Sequence, residues 1–164
     1  MDLSSCSLED LFLIAIKSEV ESKRIYQDMA KKVKNAFLKD RLMFLAAEEE
    51  KHRTYIEKLY KDNYKVEKIT LPETSAVPLP EIKVYNETMP ISEVLESAME
   101  AEIAASEFYA EFAKRFPEDS NSRKLLNYFA KMEIMHYEIL KTERDNARQF
   151  EEFDQIWPMM HVGP

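Results

Sequence analysis

Two short stretches pair a carboxylate with an imidazole three residues on: Glu49-x-x-His52 and Glu133-x-x-His136. On a helix that spacing puts both groups on one face. Carboxylate oxygens and imidazole nitrogens are ligands for divalent transition metals, iron and manganese among them. One such pair alone usually means an ion pair or a solvated face. Here the pair recurs inside a longer repeat. FLAAEEEKHRTYIEKL (44–59) matches YFAKMEIMHYEILKTE (128–143), with Ala46/Ala130, Glu49/Glu133 and His52/His136 identical. Upstream of each copy, AIKSEVESKRIYQDMAK (15–31) matches AMEAEIAASEFYAEFAK (98–114), with Ala15/Ala98, Glu19/Glu102, Tyr26/Tyr109, Ala30/Ala113 and Lys31/Lys114 identical. The two offsets differ by one residue, which a turn can absorb, so the chain reads as one helical hairpin used twice.

The matched polar residues interrupt otherwise apolar stripes. Leu42, Leu45, Glu49, His52, Ile56 and Leu59 follow at three- and four-residue steps, as do Leu126, Phe129, Glu133, His136 and Leu140. Phe12, Ala15, Glu19, Ser22, Tyr26, Met29 and Val33 form a third stripe. Leu95, Ala98, Glu102, Ala105, Tyr109, Phe112 and Phe116 form the fourth. Such stripes face partner helices, so four acids and two histidines are predicted to meet inside the molecule. No Lys or Arg lies on the four stripes. An uncompensated buried ion costs several kcal/mol, against a total stability of only about 5–15 kcal/mol. Either most of the carboxylates are protonated or cations bind, and two divalent metals would cancel four carboxylates while the histidines stay neutral.

The elements that carry these residues read as helices. The only glycine is Gly163, prolines are sparse outside residues 72–90, and Ala, Leu, Met, Glu and Lys are dense. Helix 1 is predicted from Ser7 as N-cap, with Asp10 completing an S-x-x-D box, to about Val33. Helix 2 spans about Asn35 to Lys61. Helix 3 begins near Ile91 and ends before Pro117, and helix 4 runs from the DSNS cluster (119–122) to about Arg148. The fold class is therefore all-α: an antiparallel four-helix bundle over 1–149 made of two hairpins. A crossover of about 62–90 joins helices 2 and 3, with a short strand-like or helical piece expected near EIKVY (81–85). The apolar, aromatic tail 150–164 is expected to pack on the bundle or on a dimer partner. Met132, Met135, Met159 and Met160 are read as packing residues and His161 as structural.

The bulk properties exclude several functions. A net charge of −8 argues against nucleic acid as a partner. One cysteine, Cys6, allows no internal disulfide and no four-cysteine metal site. The lack of internal glycine rules out phosphate loops and dinucleotide fingerprints. No apolar run is long enough to span a bilayer, and the N-terminal apolar residues are interrupted by Glu9, Asp10 and Lys17, so a cytoplasmic location without membrane contact is expected.

The doubled Glu-x-x-His and the two single acids resemble the ferritin-like di-iron carboxylate family, most closely its rubrerythrin-like branch. That resemblance covers all four helices. It implies that Glu19 and Glu102 are terminal ligands, Glu49 and Glu133 bridge two metals, and His52 and His136 cap one each. Catalysis would then run through those six residues and two Fe ions, with Mn as the other candidate. Tyr26 and Tyr109 would orient ligand carboxylates. The resemblance further implies an oxidoreductase acting on peroxide or dioxygen and oxidising Fe(II), in oxidative-stress defence or iron handling, and a homodimer. Full-length rubrerythrins carry a four-cysteine rubredoxin domain. With one cysteine here, electrons would come from an external donor such as a rubredoxin. Relatives also carry an extra carboxylate one turn past the terminal Glu of helix 3, where this chain has Ala105 and Ser106. An iron-buffering protein without turnover, a dimanganese catalase-like enzyme and a metal-free scaffold are the competing readings.

Overall fold

The computed structural model describes residues 3–73 and 89–156, with side chains through residue 152. Within them are four helices and no strand: α1 (Leu8–Lys32), α2 (Ala36–Tyr64), α3 (Ile91–Ala113) and α4 (Asn121–Ile156). Close packing joins α1 to α2 and α3 to α4, so the two hairpins are the structural units.

Local chemistry sets each end. Ser7 Oγ accepts the Asp10 N–H at 3.1 Å while the Asp10 carboxylate accepts the Ser7 N–H at 2.9 Å, the reciprocal pattern expected of an S-x-x-D box. Asn35 opens α2 by accepting the Leu38 N–H at 3.1 Å. Lys65 ends α2 in the left-handed region (φ 55°) that glycine usually supplies. Ser120 receives the Arg123 N–H at 3.2 Å at the start of α4.

Helix α4 runs on to Ile156, past the expected end at Arg148. No Gly or Pro interrupts residues 149–156, and the extension meets a need elsewhere. Pro90 gives α3 no side-chain cap. Glu151 of α4 supplies one, accepting the Ser92 N–H at 3.1 Å and the Ser92 hydroxyl at 2.5 Å. Its charge also sits well at a helix N-terminus. The first part of the expected tail is thus helix. Residues 157–164, with Met159, Met160 and His161, lie outside the described residues.

Both described ends of the crossover are anchored. Val66, Ile69 and Leu71 pack on the core built around Phe12 and Phe112, and Lys17 donates to the carbonyls of Pro72 and Glu73. Met89 packs on the other core, around Leu42 and Leu95. Residues 74–88, including the EIKVY piece, lie outside the described residues.

Among the described residues the apolar interior is two clusters rather than one. The first holds Phe12, Ile16, Ile56, Phe108, Phe112, Leu126 and Phe129; Phe12 and Phe112 meet edge to face with centroids 5.0 Å apart. The second holds Met29, Leu38, Leu42, Leu45, Val94, Leu95, Ala98 and Leu140. The acids and histidines of the four stripes lie in neither cluster. Met132 is partly buried, but Met135 departs from the packing reading. It is 57% exposed and lines a shallow apolar groove with Ile134 and Ile139 on the outer face of α4, because it sits two residues past the buried Glu133.

Candidate metal centre

All six residues singled out by type and spacing converge, and none is more than 4% exposed: Glu19 on α1, Glu49 and His52 on α2, Glu102 on α3, Glu133 and His136 on α4. They form two overlapping groups able to hold a metal ion. Glu19, Glu49, His52 and Glu133 make one; Glu49, Glu102, Glu133 and His136 make the other. Glu49 and Glu133 belong to both. His52 Nδ1 lies 3.0 Å from Glu133 Oε1, 3.4 Å from Glu49 Oε2 and 3.7 Å from Glu19 Oε2. His136 Nδ1 lies 3.0 Å from Glu133 Oε2, 3.5 Å from Glu49 Oε1 and 3.7 Å from Glu102 Oε2. Each shared carboxylate therefore offers one oxygen to each group, and the internal repeat reappears as a two-fold-like arrangement of ligands.

Do these atoms fit metals or one another? His52 Nδ1, His136 Nδ1, His136 Nε2 and both oxygens of Glu133 have no hydrogen-bond partner although they are buried. The 3.0 Å separations are close enough for hydrogen bonds, yet the ring N–H direction does not point at the carboxylate, so proximity here is not bonding. A divalent first-row ion holds N and O donors at about 2.0–2.2 Å, which places neighbouring donors roughly 3.0 Å apart around an octahedron and roughly 3.5 Å around a tetrahedron. The separations of the histidines from Glu49 and Glu133, 3.0–3.5 Å, fall in that range, and those from Glu19 and Glu102, 3.7 Å each, lie just beyond it. The donor set, carboxylate-rich with one imidazole per group, suits hard-to-borderline ions.

Without metal, protons do the neutralising. Burial, reinforced by the Glu49 carboxylate, pushes the Glu19 and Glu102 carboxyls well above their usual range. Burial acts the same way on Glu49, but the two imidazoles outweigh it and bring Glu49 down to about 2. Burial disfavours charge on His52 too; Glu133, Glu19 and Glu49 overcome it and raise His52 to about 12, and His136 is raised in the same way by Glu102, Glu133 and Glu49. Cations arriving with two positive charges each would replace those protons.

The tyrosines act across the hairpins. Tyr26 of α1 donates to Glu102 Oε1 of α3, and Tyr109 of α3 donates to Glu19 Oε1 of α1. Each tyrosine is two turns beyond the acid on its own helix, so this crossing requires α1 and α3 to run antiparallel. Both phenols are raised well above their usual range, by burial first and then by the acid each one touches, and so remain donors. Sequence spacing singled out both tyrosines but not the crossing, which chain direction alone determines. One asymmetry breaks the two-fold-like pattern: the Phe129 ring packs 4.6 Å from His52, where the repeat places Leu45 on the His136 side. Outside the cluster, Glu50 is held down to about 2, chiefly by Arg53 and also by Lys23, which sits 2.9 Å away, so these bases serve the outer face of the bundle.

A four-helix bundle carrying a doubled Glu-x-x-His and two further acids in its middle defines a ferritin-like carboxylate protein with a di-metal site. The family is more specific: the rubrerythrin family model matches residues 10–144, and the chain belongs to that family. A solved structure with the same fold is that of a hypothetical protein from Pyrococcus furiosus. It is 30% identical, with a TM-score of 0.80, and the match covers 91% of this chain and 95% of that one. No curated protein matches the chain.

Proposed function

We propose that the chain is a non-haem di-iron oxidoreductase of rubrerythrin type, oxidising Fe(II) and reducing hydrogen peroxide or dioxygen, in oxidative-stress defence or iron handling. The observation that carries this reading is the pair of shared carboxylates, Glu49 and Glu133, each presenting one oxygen to each of two four-residue groups. Glu19 and His52 would complete one metal site, Glu102 and His136 the other. Two adjacent iron ions supply two electrons together to a small oxidant. The chain's own contribution is to keep the site dry, to fix Glu19 and Glu102 through the crossed tyrosines, and to hold both histidines on the α2–α4 side. Electrons would come from a separate donor such as a rubredoxin, and the active species would be a cytoplasmic homodimer. Among the described residues no helix is long and apolar enough to cross a membrane.

Elemental analysis of the purified protein, followed by a peroxide-consumption assay with a reduced rubredoxin-type donor, tests this directly. About two irons per chain and sustained turnover are expected. Two manganese ions with peroxide disproportionation would move the site to a catalase-like reading. Fe(II) oxidation that stops after one round would make it an iron buffer. Protein that refuses metal on reconstitution would reduce the cluster to a scaffold feature.

A further inference from the structure

Along the inner stripe of α1, every residue from Phe12 to Met29 is buried except Ser22; along that of α3, every residue from Leu95 to Phe112 is buried except Ala105. These two are partly exposed. Ser22 stands between Glu19 and Tyr26, and Ala105 between Glu102 and Tyr109. Tyr26 bonds Glu102 and Tyr109 bonds Glu19 on antiparallel helices, so Ser22 and Ala105 come to nearly the same level, over the middle of the cluster. Neither side chain has the bulk to close the seam there.

The donors themselves give a direction. In each four-residue group three ligands come from α2 and α4, and only Glu19 or Glu102 comes from the other pair of helices. Positions left open on either ion would therefore face the α1–α3 seam. The opposite side is closed by rings: His52 and His136 stack with centroids 5.5 Å apart, and Phe129 covers His52. Close helix packing also runs within each hairpin and not along α1–α3.

We propose that the α1–α3 seam at Ser22 and Ala105 is where the oxidant reaches the metals, and that the small size of these two residues sets what passes: a two-oxygen molecule such as hydrogen peroxide, not a bulky alkyl hydroperoxide. This rests on the di-iron reading above. Leucine at either position keeps a good helix former in place and removes no ligand, so Ser22→Leu, Ala105→Leu and the double variant plug the seam while leaving all six donors in the chain. Ala105→Val is the smaller plug if leucine costs metal. Metal content is measured first. Anaerobic azide association with the iron-loaded protein is then followed by visible absorption, and consumption of hydrogen peroxide is compared with that of cumene hydroperoxide. Unchanged metal content is expected, with azide association at least tenfold slower in the double variant. Wild-type protein should prefer hydrogen peroxide strongly, and Ala105→Gly should weaken that preference. Plugged variants that hold two irons yet take azide at the wild-type rate would overturn the seam while leaving the di-iron function intact. Wild-type protein without metal would overturn the function, and the seam with it.

Discussion

Replacing Glu133 by methionine should destabilise the metal-free chain and also abolish its further stabilisation by metal. Glu133 is 1% exposed, belongs to both ligand groups, and has no hydrogen-bond partner on either oxygen. Removing one partner from a buried cluster of opposite charges leaves the others uncompensated, at a cost of about 3–5 kcal/mol. Methionine is unbranched, of similar reach, and adaptable in packing. His52 and His136 each lose a carboxylate at 3.0 Å. Of the acids that remain beside them, Glu19 and Glu102 are pushed towards the neutral form and only the shared Glu49 is held ionised. Metal-free Glu133→Met is therefore expected to lose about 3–5 kcal/mol relative to metal-free wild type, a fall in Tm of about 6–20 °C for a chain of this size. Metal widens the gap: a ligand at about 1,000 times its Kd stabilises the wild type by about 4 kcal/mol, and the variant, lacking a donor common to both groups, should gain none. Calorimetric melts in chelator and in excess Fe(II), with elemental analysis after dialysis, measure both arms. A variant that melts as high as wild type in chelator, or that retains two metals per chain, would refute the electrostatic reasoning.

Tyr109→Phe and Tyr26→Phe should each weaken metal binding by about 10–100-fold at unchanged saturating stoichiometry, the first acting on the group with Glu19 and His52, the second on the group with Glu102 and His136. Titration against a chelator of known affinity reads this, and losses under threefold would mean the rings merely pack. Ser7→Ala should cost about 1 kcal/mol through the lost cap, lowering Tm by about 2–4 °C. Asp10 is held below its ordinary 3.8 by its bonds from the Ser7 side chain and backbone. A lowered carboxyl stabilises the fold above 3.8 and stops doing so as pH falls through its folded value. The gap between wild type and Ser7→Ala should therefore narrow in acid, and a constant gap from pH 7 to 3 would contradict this.

The helices and their starts were readable because capping and periodicity are local: Ser7 with Asp10, Asn35, and four stripes with steps of three and four. The six candidate ligands were readable because duplication turns a weak motif into a register. Properties that depend on chain direction or on distant neighbours were not. The crossed tyrosine bonds follow from α1 and α3 running antiparallel, which no residue on either helix states. The extension of α4 to Ile156 serves a cap on α3, far away in sequence, and Met135 had to be placed relative to Glu133 in three dimensions before it could be told from a core methionine. The packing of Phe129 on His52 is likewise a contact between hairpins, visible in sequence only as a departure from the repeat.

Division of the ligands between the hairpins carries a consequence for synthesis. A nascent chain that has emerged only through α2 owns Glu19, Glu49 and His52, three of the four donors of its first group. The fourth, Glu133, arrives with α4, and the second group draws on Glu49 in the same reciprocal way. Each half lends the other one carboxylate, so a metal ion would find its full set of four donors only once both halves have docked, and an ion so held would certify a finished bundle.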